Sequence, residues 1–181
     1  MNLIAVGILF VGVGALILLG APDLAAKVGL LKFSGMPIAN FSPDVVTQFF
    51  TPTHNGVDFG VPIGTPLLNV APGTVVQIHA DPNNDSGMFV IVRGRLPYLP
   101  TLAWGYAHMS RIDVAVGQDL DAGDVIGLSG NTGLTSSHGQ TLLNRSDGLG
   151  AHLHFTTLDV ARDFASLDPE PFLPEPLRAN S

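Results

Sequence analysis

From residue 51 onward the chain breaks into short β-rich runs cut by glycine and proline: "GVDFGV", "TPLLNV", "GTVVQIHA", "MFVIVRG", "LAWGYAHMS", "DVIGLSG" and "HLHFTTL". No amphipathic pattern long enough for an ordinary helix follows residue 35. Runs of this length with turn residues between them specify antiparallel β structure, closed as a sandwich or barrel. Two segments share a layout of glycine, short strand, glycine at a tight turn and second strand: "VPIGTPLLNVAPGTVVQI" and "VAVGQDLDAGDVIGLSG". They suggest two similar hairpin units packed together. The expected fold is an all-β, two-sheet antiparallel β-sandwich or barrel-like domain over residues 50–160. Lipoyl- and biotin-carrier domains have related texture, but they need a lysine at a hairpin tip. Lys27 and Lys32, the only lysines, lie ahead of the β region.

The first twenty residues, "MNLIAVGILFVGVGALILLG", carry no charged side chain. As a helix they would span about 30 Å, the thickness of a bilayer core. A cleaved signal peptide is the rival reading. It lacks support from a basic n-region, the apolar run exceeds the usual h-region, and Pro22 follows the candidate cleavage point at Ala21. A buried core helix is the third alternative. Residues 1–22 are therefore expected to be a transmembrane anchor or uncleaved signal, in contact with a lipid bilayer through residues 1–20. Lys27 and Lys32 follow the span, which by the positive-inside count votes weakly for a cytoplasmic C-terminal part. Residues 23–49 read as a juxtamembrane segment and linker. Residues 161–181, with "LDPEPFLPEPLRANS", read as a Pro-rich tail extended over the surface or frayed.

Charge narrows the partners. The formal net charge of −7 argues against nucleic acid, because a phosphate backbone selects a basic surface. Cysteine is absent, so a zinc site would have to use histidine and carboxylate. Six histidines are present, and "GAHLHFTT" sets two of them two residues apart. In a strand, His152 and His154 project from one face while Leu153 faces the other layer. Two half-exposed strand histidines without a joint role remain the alternative for this pair taken alone. His54 and Asp58 stand four apart in "THNGVDFG", where Gly56 permits a tight backbone and Val57 packs inward. His108 lies in the strand-like "GYAHMS" and, alone, reads as a structural strand histidine. Together the set has a purpose. A catalytic zinc takes three protein ligands and keeps a further position open. His54, Asp58 and one histidine of the 152/154 pair supply three, leaving the other and His108 for proton transfer and oxyanion stabilisation.

In order, "HNGVDFGVPIGTPL", "APGTVV", "YAHMS", "VGQDLDAGDVIGLSGNTG" and "AHLHF" resemble the successive motifs of the lysostaphin-type, LytM-like zinc endopeptidases. The resemblance covers residues ~50–158. It implies His54, Asp58 and His154 as the ligands of one zinc ion per chain. It implies His108 and His152 as catalytic histidines near the reacting water and the oxyanion. It also implies a peptidoglycan peptide as substrate, cut in a cross-bridge or a stem-peptide cross-link. Some relatives have lost ligands and act only as wall-binding or activator modules; all five positions are present here.

The chain departs from the family pattern at "LTSSHGQTLLNRSDGLGA", a longer insertion between the "NTG" turn and H-x-H. It carries His138 and Arg145, and it leads straight into the site. His138 reads as a solvated loop residue and His79 as structural. Segment 94–104, "GRLPYLPTLAW", reads equally as cleft rim or hairpin loop. The expected function is a membrane-anchored zinc endopeptidase with its catalytic domain facing the cell wall. A wall-opening enzyme in the membrane of a lipid-containing phage virion is a minority alternative. A non-catalytic wall-binding or activator module and a structural membrane protein on the same scaffold are the others. Which bond is cut, and the oligomeric state, are not legible in the residues.

Overall fold

The computed structural model describes residues 32–95, 101–137, 140–143 and 148–179. The expected membrane span, His138 and Arg145 lie outside the described residues. Among the described residues no helix is long and apolar enough to cross a membrane. Among the described residues the architecture is all-β with three single-turn 3₁₀ segments. The strands are β1 Val46–Gln48, β2 Val57–Phe59, β3 Pro66–Leu68, β4 Gly73–His79, β5 Met88–Gly94, β6 Leu102–Met109 and β7 Arg111–Ile112. They continue with β8 Asp119–Leu120, β9 Val125–Leu128, β10 Leu134–Ser137, β11 Gln140–Leu143, β12 Leu153–Asp159 and β13 Ala165–Leu167.

A large antiparallel sheet runs β1-β2-β12-β6-β5-β4-β8, with β13 paired to β12. A second sheet runs β3-β9-β7, and β10 with β11 forms a separate hairpin. β6, all eight residues of which are buried, is a central strand of the large sheet. In β12 the alternation is direct: Leu153, Phe155 and Thr157 are fully buried, while His154 and Thr156 are only half-buried on the other face. The core gathers Phe59, Trp104, Tyr106 and Phe155 between the sheets. The polar ends of its two large amphipathic side chains are paired: Trp104 Nε1 donates to Asn69 Oδ1 at 3.0 Å, and the Tyr106 hydroxyl to the Leu68 carbonyl at 2.9 Å.

The two look-alike segments do not form two hairpins. β3 pairs with β9 in the small sheet, and β4 pairs with β8 in the large one. Each segment thus sends one strand to each sheet, and the two interlock. Asn69 explains the crossing. Its buried amide donates to the carbonyls of Ala71 and Asp121, and its backbone exchanges hydrogen bonds with Gly123 and Asp124 of the other segment.

Both flanks belong to the core. Phe33, Met36 and Ile38, in the stretch that reads as linker, are buried. Phe172, Leu173 and Leu177, in the stretch that reads as a surface or frayed tail, are fully buried. Phe33 stacks on Phe172 at 5.7 Å and meets Trp104 edge-on at 5.2 Å. Phe33 N–H donates to the Phe172 carbonyl at 2.7 Å, and Lys32 Nζ to the Leu173 carbonyl at 2.8 Å. Proline-rich composition conceals this, because the aromatic and aliphatic residues between the prolines fill the core. Replacing Phe33 with alanine should destabilise the domain by about 3–5 kcal/mol in denaturant melts, as for a buried aromatic elsewhere. A residue in a true linker would leave the midpoint unchanged.

Candidate active site

Register brings the distant parts of the site together. His154 of β12 lies opposite Asp58 of β2 on one side and Ala107 of β6 on the other. His154 Nδ1 is 2.8 Å from Asp58 Oδ1. His54 arrives from a tight turn closed by reciprocal backbone hydrogen bonds between Thr51 and His54, and its Nε2 is 3.2 Å from the same Oδ1. The three ligand-type atoms lie within 4.8 Å of one another. Gly56 makes the approach feasible: a Cβ there would sit 2.6 Å from His154 Nε2 and 2.6 Å from the Phe155 carbonyl oxygen.

The remaining two histidines share the cleft. The His152 ring is 4.6 Å from that of His108, and its Nε2 is 3.7 Å from Asp58 Oδ1. A bridge to Gly130 fixes the His152 backbone. His108 depends on a bulge. Between the pairs Tyr106–Val90 and Met109–Met88, β6 spends one more residue than β5. His108 has φ 58° there, a conformation that costs a residue with a side chain about 1–3 kcal/mol. Simple alternation would turn His108 to the core face of Tyr106. The bulge instead lets Ala107 and His108 both line the cleft.

The tautomers follow from the carbonyls. A carbonyl only accepts, so Nδ1–H of His54 donates to Phe49, that of His108 to Thr132, and that of His152 to Gly150, at 3.0, 2.8 and 2.7 Å. In each neutral ring the Nε2 lone pair is then the free one. For His54 that lone pair faces a carboxylate oxygen at 3.2 Å, an arrangement that requires a proton or a metal ion between them. Two imidazoles and one carboxylate are a zinc donor set. The Phe49 carbonyl on the far nitrogen of His54 is the support such a ligand uses.

Electrostatics sort the groups further. Burial pushes Asp58 up, but the hydrogen bond with His154 and the imidazoles of His152, His154 and His54 outweigh it and hold the carboxyl below its usual range. Burial, followed by the neighbouring His152, pushes His108 down to about 4, against the opposing bond to Thr132. His108 is therefore neutral near pH 7 and able to accept a proton.

All five residues singled out in the sequence line one cleft of about 360 Å³. His79 does not; it stacks on Phe89 at 5.2 Å. Sequence reasoning missed Gln48, Asp85, Ser86 and Thr135, which also line the cleft. The signal for the 85–86 wall was the glycine pair: a Cβ on Gly133 would lie 2.3 Å from Gly87 N, and one on Gly87 would lie 2.4 Å from Thr132. The "DSG" and "NTG" turns therefore dock without side chains between them. The insertion contributes Leu134 and Thr135 to the wall.

The model of peptidase family M23 matches residues 52–166. The peptidoglycan DD-endopeptidase ShyA of Vibrio cholerae is 36% identical over 120 residues, 65% of this chain and 23% of that protein. Lysostaphin of Staphylococcus staphylolyticus is 32% identical over 121 residues, 66% of this chain and 22% of that protein. The chain thus spans less than a quarter of the length of these curated relatives. The solved structure of LytU superposes with a TM-score of 0.56 at 29% identity, over 73% of this chain and 86% of that one. Gly56→Ala should lower bound zinc well below the roughly one ion per chain expected of the native protein, with far-UV circular dichroism retained. Elemental analysis beside the spectrum checks both.

Proposed function

The chain belongs to peptidase family M23, and we propose that it is an endopeptidase that hydrolyses peptide bonds of peptidoglycan. Its cofactor is zinc, and we assign His54, Asp58 and His154 as the ligands. The observation that carries the reading is the convergence of those three residues with His108 and His152 in one cleft. The relative named as a peptidoglycan DD-endopeptidase supports the substrate. When bound, zinc supplies Lewis-acid chemistry, drawing electron density from water and from the scissile carbonyl.

The chain's own groups supply the proton transfers. We assign His108 as acceptor of the proton of the attacking water at Nε2, because its Nδ1–H is committed to Thr132. A base that is neutral at pH 7 fits that step. His152 Nε2 faces the same space, and we assign its imidazolium form, with Nδ1–H still on Gly150, to donate from Nε2 to the oxyanion that develops on the carbonyl. Collapse breaks the C–N bond, the leaving nitrogen takes the proton, and the products are a carboxylate and an amine. The bonds from Phe49, Thr132 and Gly150 keep the rings oriented throughout, so little reorganisation accompanies reaction.

We further read residues 1–20 as a membrane anchor, on the strength of their charge-free apolar length, with the catalytic domain facing the wall. His108→Ala should keep its zinc and lose about 10²–10³-fold in the rate of amine release from purified peptidoglycan. His54→Ala should lose zinc and activity together. A folded, zinc-loaded native chain that releases no new amines would remove the peptidase assignment.

A further inference from the structure

Beside the ligand residues the face of the large sheet continues into a second cleft of about 310 Å³. The two clefts share Asn55, Ser86, Ala107 and His154. The two clefts are thus continuous along the sheet, long enough for an extended peptide with one bond at the ligand residues to reach into the second. Gly105 and Ala107 of β6 keep it open; even a Cβ at Gly105 would meet the Thr156 methyl at 2.9 Å. Its apolar lining comes from Phe89, Ile91, Leu158 and Phe164. Apart from His154, and Tyr106 whose hydroxyl is spent on the Leu68 carbonyl, no ionisable side chain lines it among the described residues.

Phe164 is held there against its conformational preference. It sits between β12 and β13, and it and Asp163 both have left-handed backbones, at φ 59° and 53°. A bulky residue is a genuine outlier in that region, where glycine or asparagine is at ease. Core burial does not offset the strain, because Phe164 is 43% exposed. Strain combined with an exposed aromatic beside a catalytic cleft is the pattern of a side chain kept for contact with a ligand.

We infer that Phe164 is a substrate-binding residue, the outer wall of an apolar subsite for an uncharged, methyl-bearing stretch of the substrate peptide next to the scissile bond. The inference rests on the peptidase reading above. Each methyl group buried against this wall is worth about fourfold in affinity, so an alanine-bearing peptide is favoured over polyglycine of the same length.

The test uses the zinc-loaded full chain and its Phe164→Gly and Phe164→Leu variants. Calorimetry measures binding of an alanine-bearing cross-linked stem-peptide dimer and of pentaglycine; cleavage kinetics and Tm are recorded in parallel. The native chain should bind the alanine-bearing peptide more tightly. Phe164→Gly should weaken that binding about tenfold, with KM rising more than kcat falls, while Tm stays level or rises as the strain is relieved. Phe164→Leu should recover part of the affinity. A fall in Tm with binding unchanged makes Phe164 structural and overturns the inference, as does equal binding of the two peptides. Selective binding without cleavage of either peptide defeats the peptidase reading and leaves the subsite standing.

Discussion

The insertion of β12 between β2 and β6 is the constraint on which the cleft depends. Antiparallel pairing has a side-chain period of two, so a slip of one residue would exchange every inward and outward position. In the register observed, Leu153 and Phe155 fill the core while His154 stands opposite Asp58. Hydrophobic burial on one face thus fixes the His154–Asp58 geometry on the other. The burial of two large apolar side chains is worth roughly 1.5–3 kcal/mol each, whereas the attraction in a largely buried imidazole–carboxylate contact is offset by the desolvation of its charge. The core, not the polar pair, sets the alignment.

Much of this was legible in the residues. The texture of short runs and turns specified all-β structure, and the ordered motifs H-x3-D, Y-A-H and H-x-H identified the family. The i, i+2 spacing put His152 and His154 on one side, as found. His108 was harder: period-two reasoning sends it to the core, and only a bulge, which depends on the strand opposite, turns it out. The interlocking of the two similar segments was hidden for a related reason. Partner choice between distant strands is made by contacts such as those of Asn69, and no local pattern announces them. The flanks misled through composition, since proline and glycine advertise a linker while Phe33 and Phe172 close the core.

Support and strain divide the work of the cleft. Backbone carbonyls of Phe49, Thr132 and Gly150 each hold one imidazole nitrogen. These carbonyls lie in turns or strand ends and are insensitive to side-chain identity, so sequence patterns cannot reveal them. His108 and Phe164 carry left-handed backbones beside the two connected clefts. The rigid sheet supplies the rest of the precision, because its small residues Gly105 and Ala107 keep the face of β6 low enough for a chain to lie across it.

The proposed ligand set also has an order in time. His54 and Asp58 leave the ribosome about a hundred residues before His154, and the strand carrying His154 must enter between two strands made long before it. A half-synthesised chain holds an incomplete donor set and lacks the central strand that would align it. Phe172, which completes the aromatic core, emerges later still. Vectorial synthesis therefore leaves the nascent chain without the full constellation until β12 has emerged, with the topology of the sheet serving as the delay.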